Sequence, residues 1–146
     1  VKHNLDQMRR SAYIALFRAP GHVAEQQLLT DNASKLRAAY QGKVPADRVA
    51  ENVRRFSEPN ALTAALNWYR ALDLNARTGK VDVPTLFIWG AEDVALGETA
   101  ATNTVDHVTG PYRFEALPEK SHWLLEEVPD RIASLILGQL AATASR

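Results

Sequence analysis

Thr85-Leu86-Phe87-Ile88-Trp89-Gly90 is a short, nearly continuous apolar run that ends in glycine, with Val83-Pro84 before it and Ala91-Glu92-Asp93 after it. Such a run reads as a strand buried on both faces, the usual state of a parallel sheet covered by helices. Downstream, Glu98 to Asp106 is expected to be helical, and Tyr112-Arg113-Phe114-Glu115-Ala116 alternates in strand fashion. Pro129 then opens a final helix with Ile132, Leu135, Ile136 and Leu140 on one side. Strand, helix, strand, helix in succession implies parallel strands joined by a right-handed crossover, and hence an α/β class.

Upstream of Gly79-Lys80-Val81-Asp82 the character is different, and the chain reads as helices. Leu5, Met8, Ala12 and Leu16 recur at helical spacing, with Tyr13 and Phe17 one position further round, up to the breaker pair Pro20-Gly21. Asp31 is placed to cap a short helix ending near Gly42. Pro45 suits the first turn of another, with the stripe Val49, Val53 and Phe56. A longer helix follows through Leu62, Leu66 and Tyr69 to about Leu74. The expected organisation is a helical segment over 1–79 and a strand-helix-strand-helix segment over 80–146. Val1 opens the chain, and the only methionine, Met8, lies inside a helical pattern. Such a start suggests a boundary cut within a longer chain.

The composition narrows the function classes. With 46% hydrophobic and 23% charged residues among 146, the chain is an ordinary globular sequence. Lysine plus arginine and aspartate plus glutamate number 17 each, so no net field argues for nucleic acid or an acidic membrane. Arg9-Arg10 and Arg54-Arg55 read as solvated helix faces. There are no cysteines, which excludes disulfides and thiol catalysis and fits a cytoplasmic setting. The stretch from Ile132 to Ala144 is too short to span a bilayer. Gly-rich phosphate loops and clustered metal ligands are absent from the sequence, so neither a cofactor nor a metal is implied.

In doubly wound sheets, functional groups collect in loops at the carboxyl ends of the strands. Here those loops are Gly90-Ala91-Glu92-Asp93 and Pro118-Glu119-Lys120-Ser121-His122-Trp123. Parallel strands open both loops on one rim, so Asp93 can reach His122 despite their distance in sequence. A carboxylate bonded to one ring nitrogen fixes the tautomer and stabilises an imidazolium, which is the back half of a catalytic triad. Taken singly, a loop aspartate is more often a cap and a loop histidine merely exposed; the paired placement is the informative part. His3, His22 and His107 have no comparable setting and read as surface residues.

The string Val83-Pro84-Thr85-Leu86-Phe87-Ile88-Trp89-Gly90-Ala91-Glu92-Asp93 is similar to the strand and acid turn of α/β-hydrolases. Ser121-His122-Trp123, followed by Glu127-Val128-Pro129, is similar to their catalytic-histidine turn and final helix. The resemblance covers essentially the whole chain and implies a partial α/β-hydrolase fold, a helical lid followed by the β-α-β-α end of the sheet. Ser121 departs from it, because a glycine commonly precedes the histidine. Within the superfamily the chain most resembles epoxide hydrolases. Leu66-Asn67-Trp68-Tyr69-Arg70 looks like their second lid-tyrosine motif, and Tyr13 through Phe17 with Ala19-Pro20-Gly21 and Ala24-Glu25 looks like the first. The resemblance implies catalytic roles for Asp93 and His122 and hydrogen bonds from Tyr13 and Tyr69 to an epoxide oxygen. Tyr69 also shares a stripe with Leu62 and Leu66, so a packing role stays open.

No serine is flanked as in a G-x-S-x-G elbow, and no aspartate before Asp93 follows a credible strand, so this chain carries no nucleophile. The oxyanion-hole turn is missing as well. Two classes of function follow. One is the C-terminal portion of a hydrolase acting on a small apolar epoxide or ester, with dehalogenase and carboxylic-ester hydrolase as alternatives. The other is a non-catalytic fragment that associates with a missing N-terminal half or with a second copy of itself.

Overall fold

The computed structural model describes residues 5–73, 76 and 79–144. Its contacts divide the chain into two compact units, one made of Ser11–Ala76 and the other of Val1–Arg10 together with Arg77–Arg146. The sequence reading groups all of 1–79 together, whereas the contacts assign Leu5–Arg10 to the strand-bearing unit.

The Ser11–Ala76 unit is helical: α2 (Tyr13–Phe17), α3 (Val23–Ala38), α4 (Ala46–Phe56) and α5 (Ala61–Ala71) follow α1 (Leu5–Arg10) of the other unit. Its core joins Ala24 and Leu28 of α3 to Leu62 and Leu66 of α5, with Leu16, Phe17, Leu29 and Phe56 packed around them. Each leucine taken out of water there contributes roughly 1.5–3 kcal/mol. The stripe of α4 is realised, with Val49 and Val53 buried. Asp31 stands in a kink between two helical stretches, and the short second stretch that follows it ends at Ala38 rather than near Gly42. The helix starts earlier, at Val23, and bends at Thr30–Ala33, where Asp31, Asn32 and Ala33 take positive φ. An aspartate or asparagine tolerates that conformation because its short polar side chain bonds locally, and this preference marks a break as readily as a cap. Leu74, the expected end of α5, lies outside the described residues; α5 ends at Ala71.

The expected single helix from Leu5 to Phe17 is broken into α1 and α2. Leu5 and Met8 stay exposed, so the apolar stripe does not orient α1. Its polar side does, as described below.

In the other unit, β1 (Thr85–Gly90) and β2 (Tyr112–Leu117) pair in parallel, with Thr85 opposite Tyr112 and Gly90 opposite Leu117. Between them lie α6 (Glu98–Thr102) and a 3-10 turn over Asn103–His107, so the one helix expected there is split. After β2 come α7 (Leu124–Glu127) and α8 (Pro129–Ala144). Phe87, Trp89 and Phe114 stack on one face of the pair. Burial is incomplete at the start of β1, where Thr85 to Ile88 are half-buried, and deepens at Trp89 and Gly90. Full cover on both faces is therefore found only at the carboxyl end. The stripe of α8 is likewise divided: Ile132 and Leu135 are buried, and Ile136, Leu137 and Leu140 are exposed. No helix among the described residues is long and apolar enough to cross a membrane.

Candidate active site

The two loops at the carboxyl ends of β1 and β2 are stitched together by their backbones. Ala91 N–H donates to the carbonyl of Leu117 at 3.0 Å, and Glu92 N–H to that of Lys120 at 2.8 Å. Gly90 lies at the seam. A Cβ there would sit 2.3 Å from the Ser121 carbonyl oxygen and 2.5 Å from that of Lys120, both backbone atoms that cannot swing away. Only glycine allows the strand end to approach the histidine loop so closely.

Asp93 follows in a tight turn. Its Oδ1 accepts the N–H of Ala95 at 2.7 Å and of Leu96 at 2.9 Å, which fixes the carboxylate plane. Trp89 donates its indole N–H to the Leu96 carbonyl at 3.0 Å and closes the turn from the strand side. The carboxylate is buried and meets His122, whose Nδ1 lies 3.0 Å from Oδ2 and 3.1 Å from Oδ1. An acid bonded to Nδ1 holds the proton there and leaves Nε2 as the basic nitrogen. The histidine side chain is 45% exposed, so a water molecule can reach it. Two residues 29 apart in sequence therefore meet as an acid–histidine pair on one rim.

The histidine turn is built without a glycine before His122. Positive φ in this loop falls at Glu119, not at Ser121. Ser121 is buried, donates its hydroxyl to Glu127, and offers its N–H to the same oxygen, Oε1, at 3.0 Å. Its Oγ in turn accepts the Trp123 N–H at 3.2 Å. Glu127 thus ties α7 back to the turn, a role that sequence reasoning missed because Glu127 served only as part of a motif.

Sequence reasoning also missed what the polar side of α1 holds. Arg10 does not lie on a purely solvated face: it donates to the Asp93 carbonyl at 2.6 Å and to Asp6 at 2.7 Å. Gln7 spans the same turn, giving its amide N–H to Ala95 and accepting the Gly97 N–H. Arg54 and Arg55, in contrast, pair only locally with Glu51 and Glu58 among the bonds described.

In the helical unit Tyr13 and Tyr69 come together. Their ring centroids are 6.0 Å apart, with the Phe17 ring 5.1 Å from Tyr13 and 4.9 Å from Tyr69. Tyr69 is half-buried at the margin of the Leu62–Leu66 stripe rather than inside it. Arg18, just past α2, donates to the Tyr69 carbonyl at 2.9 Å. Arg70 reaches Glu25 at 2.9 Å, and Thr63 donates to the same carboxylate. The Arg70 guanidinium chiefly, against the opposing effect of burial, holds the Glu25 carboxyl down to about 2. His22 and His107 are exposed; His3 lies outside the described residues. Among the described residues no group of three or more His, Asp or Glu is arranged to hold a metal ion.

No family model matches the chain. Over 142 residues it is 36% identical to the AB hydrolase superfamily protein YfhM of Bacillus subtilis, covering 92% of this chain and 49% of that protein. It is 28% identical to epoxide hydrolase 3 of Mus musculus, over 89% of this chain and 38% of the relative. Among solved structures, an epoxide hydrolase of Bacillus megaterium in complex with an inhibitor superposes with a TM-score of 0.76 at 20% identity, covering 96% of this chain and 54% of that one. The chain thus spans about half the length, or less, of the proteins it matches. In fold and in sequence the chain is thus similar to part of α/β-hydrolases, epoxide hydrolases among them.

Proposed function

We propose that this chain supplies the base and the oxygen-binding half of an epoxide hydrolase, whose nucleophile lies on an upstream half. A carboxylate there attacks a ring carbon of the epoxide, and the carbon–oxygen bond breaks. Tyr13 and Tyr69 donate hydrogen bonds to the oxygen, and one phenol gives it a proton as the alcohol forms. The product of this step is a covalent ester. His122, oriented by Asp93, then takes a proton from water through Nε2, and the hydroxide attacks the ester carbonyl. The diol leaves, the carboxylate is restored, and the proton held by His122 returns through water to the tyrosine that gave one up, so one epoxide and one water give one diol. The observation that carries the reading is the Asp93–His122 pair on the rim of two parallel strands. The paired tyrosine rings favour an epoxide over other substrates of the same fold.

The same reading makes the isolated chain inactive, since it offers a base with nothing to attack the substrate. It also assigns the exposed Leu137, Leu140 and Ile136 of α8 to association, with the nucleophile-bearing half or with a second copy, and sets the protein in the cytoplasm. The test is turnover of a simple aryl epoxide by this chain alone and by the chain joined to its upstream half. Diol formed only by the joined protein supports the proposal. Turnover by the chain alone, lost in His122→Ala, would show a nucleophile within these residues. Light scattering gives the association result, and a monomer of 16.1 kDa with nothing bound would contradict it.

A further inference from the structure

We infer that α1 is a clamp on the acid turn, with Gln7 and Arg10 as positioning residues for Asp93. The inference rests on the reading of Asp93 as the group that orients His122. The Asp93 carboxylate takes its direction from its own turn, because Oδ1 is held by the N–H groups of Ala95 and Leu96. Whatever fixes that turn therefore fixes the carboxylate. From the outside α1 holds it at three backbone atoms. Arg10 donates to the Asp93 carbonyl at 2.6 Å, Gln7 Nε2 donates to the Ala95 carbonyl at 2.7 Å, and Gly97 N–H donates to Gln7 Oε1 at 2.9 Å. The Gln7 amide pairs with the turn as one peptide group pairs with another, using its donor and its acceptor together.

The fit between helix and turn is close. A Cβ on Gly97 would lie 2.6 Å from an Asp6 carboxylate oxygen and 3.2 Å from Arg10 Nε. Asp6 itself accepts from that Nε, one turn earlier on the helix, and so holds the guanidinium in line with the Asp93 carbonyl. Meanwhile Leu5 and Met8 are exposed. A six-residue helix with its apolar side in solvent and its polar side spent on one loop is placed by those hydrogen bonds.

The test is the ring tautomer of His122 in the full chain, read from its nitrogen-15 shifts. Gln7→Glu keeps the shape and removes the donor to Ala95; Arg10→Met removes the donor to Asp93. Each is expected to lower the ratio of Nδ1–H to Nε2–H by about three- to tenfold, the weight of one hydrogen bond. Arg9→Met, on the exposed neighbour, leaves the ratio unchanged. An unchanged ratio in both folded variants overturns the inference. If neither variant folds, hydrogen exchange on the unaltered chain decides. The Gly97 amide is expected to exchange at least about tenfold more slowly than an open chain, and exchange at the open-chain rate overturns the clamp. These readouts do not depend on turnover. Inactivity toward epoxides in every form would sink the proposed function and leave the clamp standing, whereas an unchanged tautomer ratio sinks the clamp alone.

Discussion

Tyr13 and Tyr69 are placed by packing, and Asp93 and His122 by hydrogen bonds. The Tyr69 helix α5 shares an apolar core with α3, made of Ala24, Leu28, Leu62 and Leu66; Leu16 and Phe17 of the Tyr13 helix α2 pack against it, and the two rings settle against Phe17. The acid and histidine stand on loops whose turns are tied at named backbone atoms: Ala95, Leu96 and Gly97 on one side, Lys120 and Ser121 on the other. Packing tolerates small shifts of a ring, whereas a base and its orienter need a fixed distance and a fixed tautomer. The proposed division of labour matches that difference, since the phenols need only reach an oxygen and the imidazole must hold its proton on one nitrogen.

The largest expected effect separates the phenol hydroxyls from the packing of their rings. In the joined enzyme, Tyr13→Phe and Tyr69→Phe each keep the ring and are expected to slow epoxide opening about 10²-fold, as for loss of one oxyanion donor. Single-turnover rates measure it, alongside melting curves that stay close to wild type. Wild-type rates in both variants would reduce the pair to packing.

On the other side of the comparison, Gly90→Ala forces a Cβ against the Ser121 carbonyl oxygen at 2.3 Å. The loops must separate, and the expected cost is about 3 kcal/mol, the upper part of the range for overpacking. Urea unfolding measures it, and a loss below half of that would mean the seam is looser than the geometry shows.

Glu25 tests the polar anchor of the helical unit. The folded carboxyl titrates near 2 and its ordinary value is 4.5, so the unfolded chain takes up its proton first as the pH falls. The stabilisation is complete above about pH 4.5 and is lost between there and about pH 2. Glu25→Gln is expected to cost about 2 kcal/mol at neutral pH, the scale of a hydrogen bond to a charged group. The difference from wild type then shrinks as the pH falls through that window; a constant difference would show that the charge contributes nothing. Ser121→Gly gives the smallest effect, about 1 kcal/mol from the freer backbone and the lost hydroxyl bonds. A variant more stable than wild type would mean that the turn calls for glycine after all.

What the sequence disclosed follows the same physical line. The apolar run Thr85 to Trp89, the alternation from Tyr112 and the stripe Val49-Val53 were legible, because burial leaves a periodic signature. That Asp93 and His122 meet was legible because parallel strands send consecutive loops to one rim. Gln7 and Arg10 were not, since their partners on the acid turn are backbone atoms 83 to 90 residues away and such bonds impose no pattern on either segment. For the same reason α1 was read from Leu5 and Met8, which point to solvent. The bend at Asp31 was taken for a cap because the local preference of aspartate serves both.

The central claim is that His122, held by Asp93, performs the second half of epoxide hydrolysis and not the first. Intact-mass spectrometry of His122→Ala in the joined enzyme, after mixing with excess epoxide, tests it most directly. The account predicts a protein population heavier by one epoxide that persists over many wild-type turnovers, because the ester forms and water is no longer activated. Diol released at the wild-type rate, with no adduct on the protein, would contradict it.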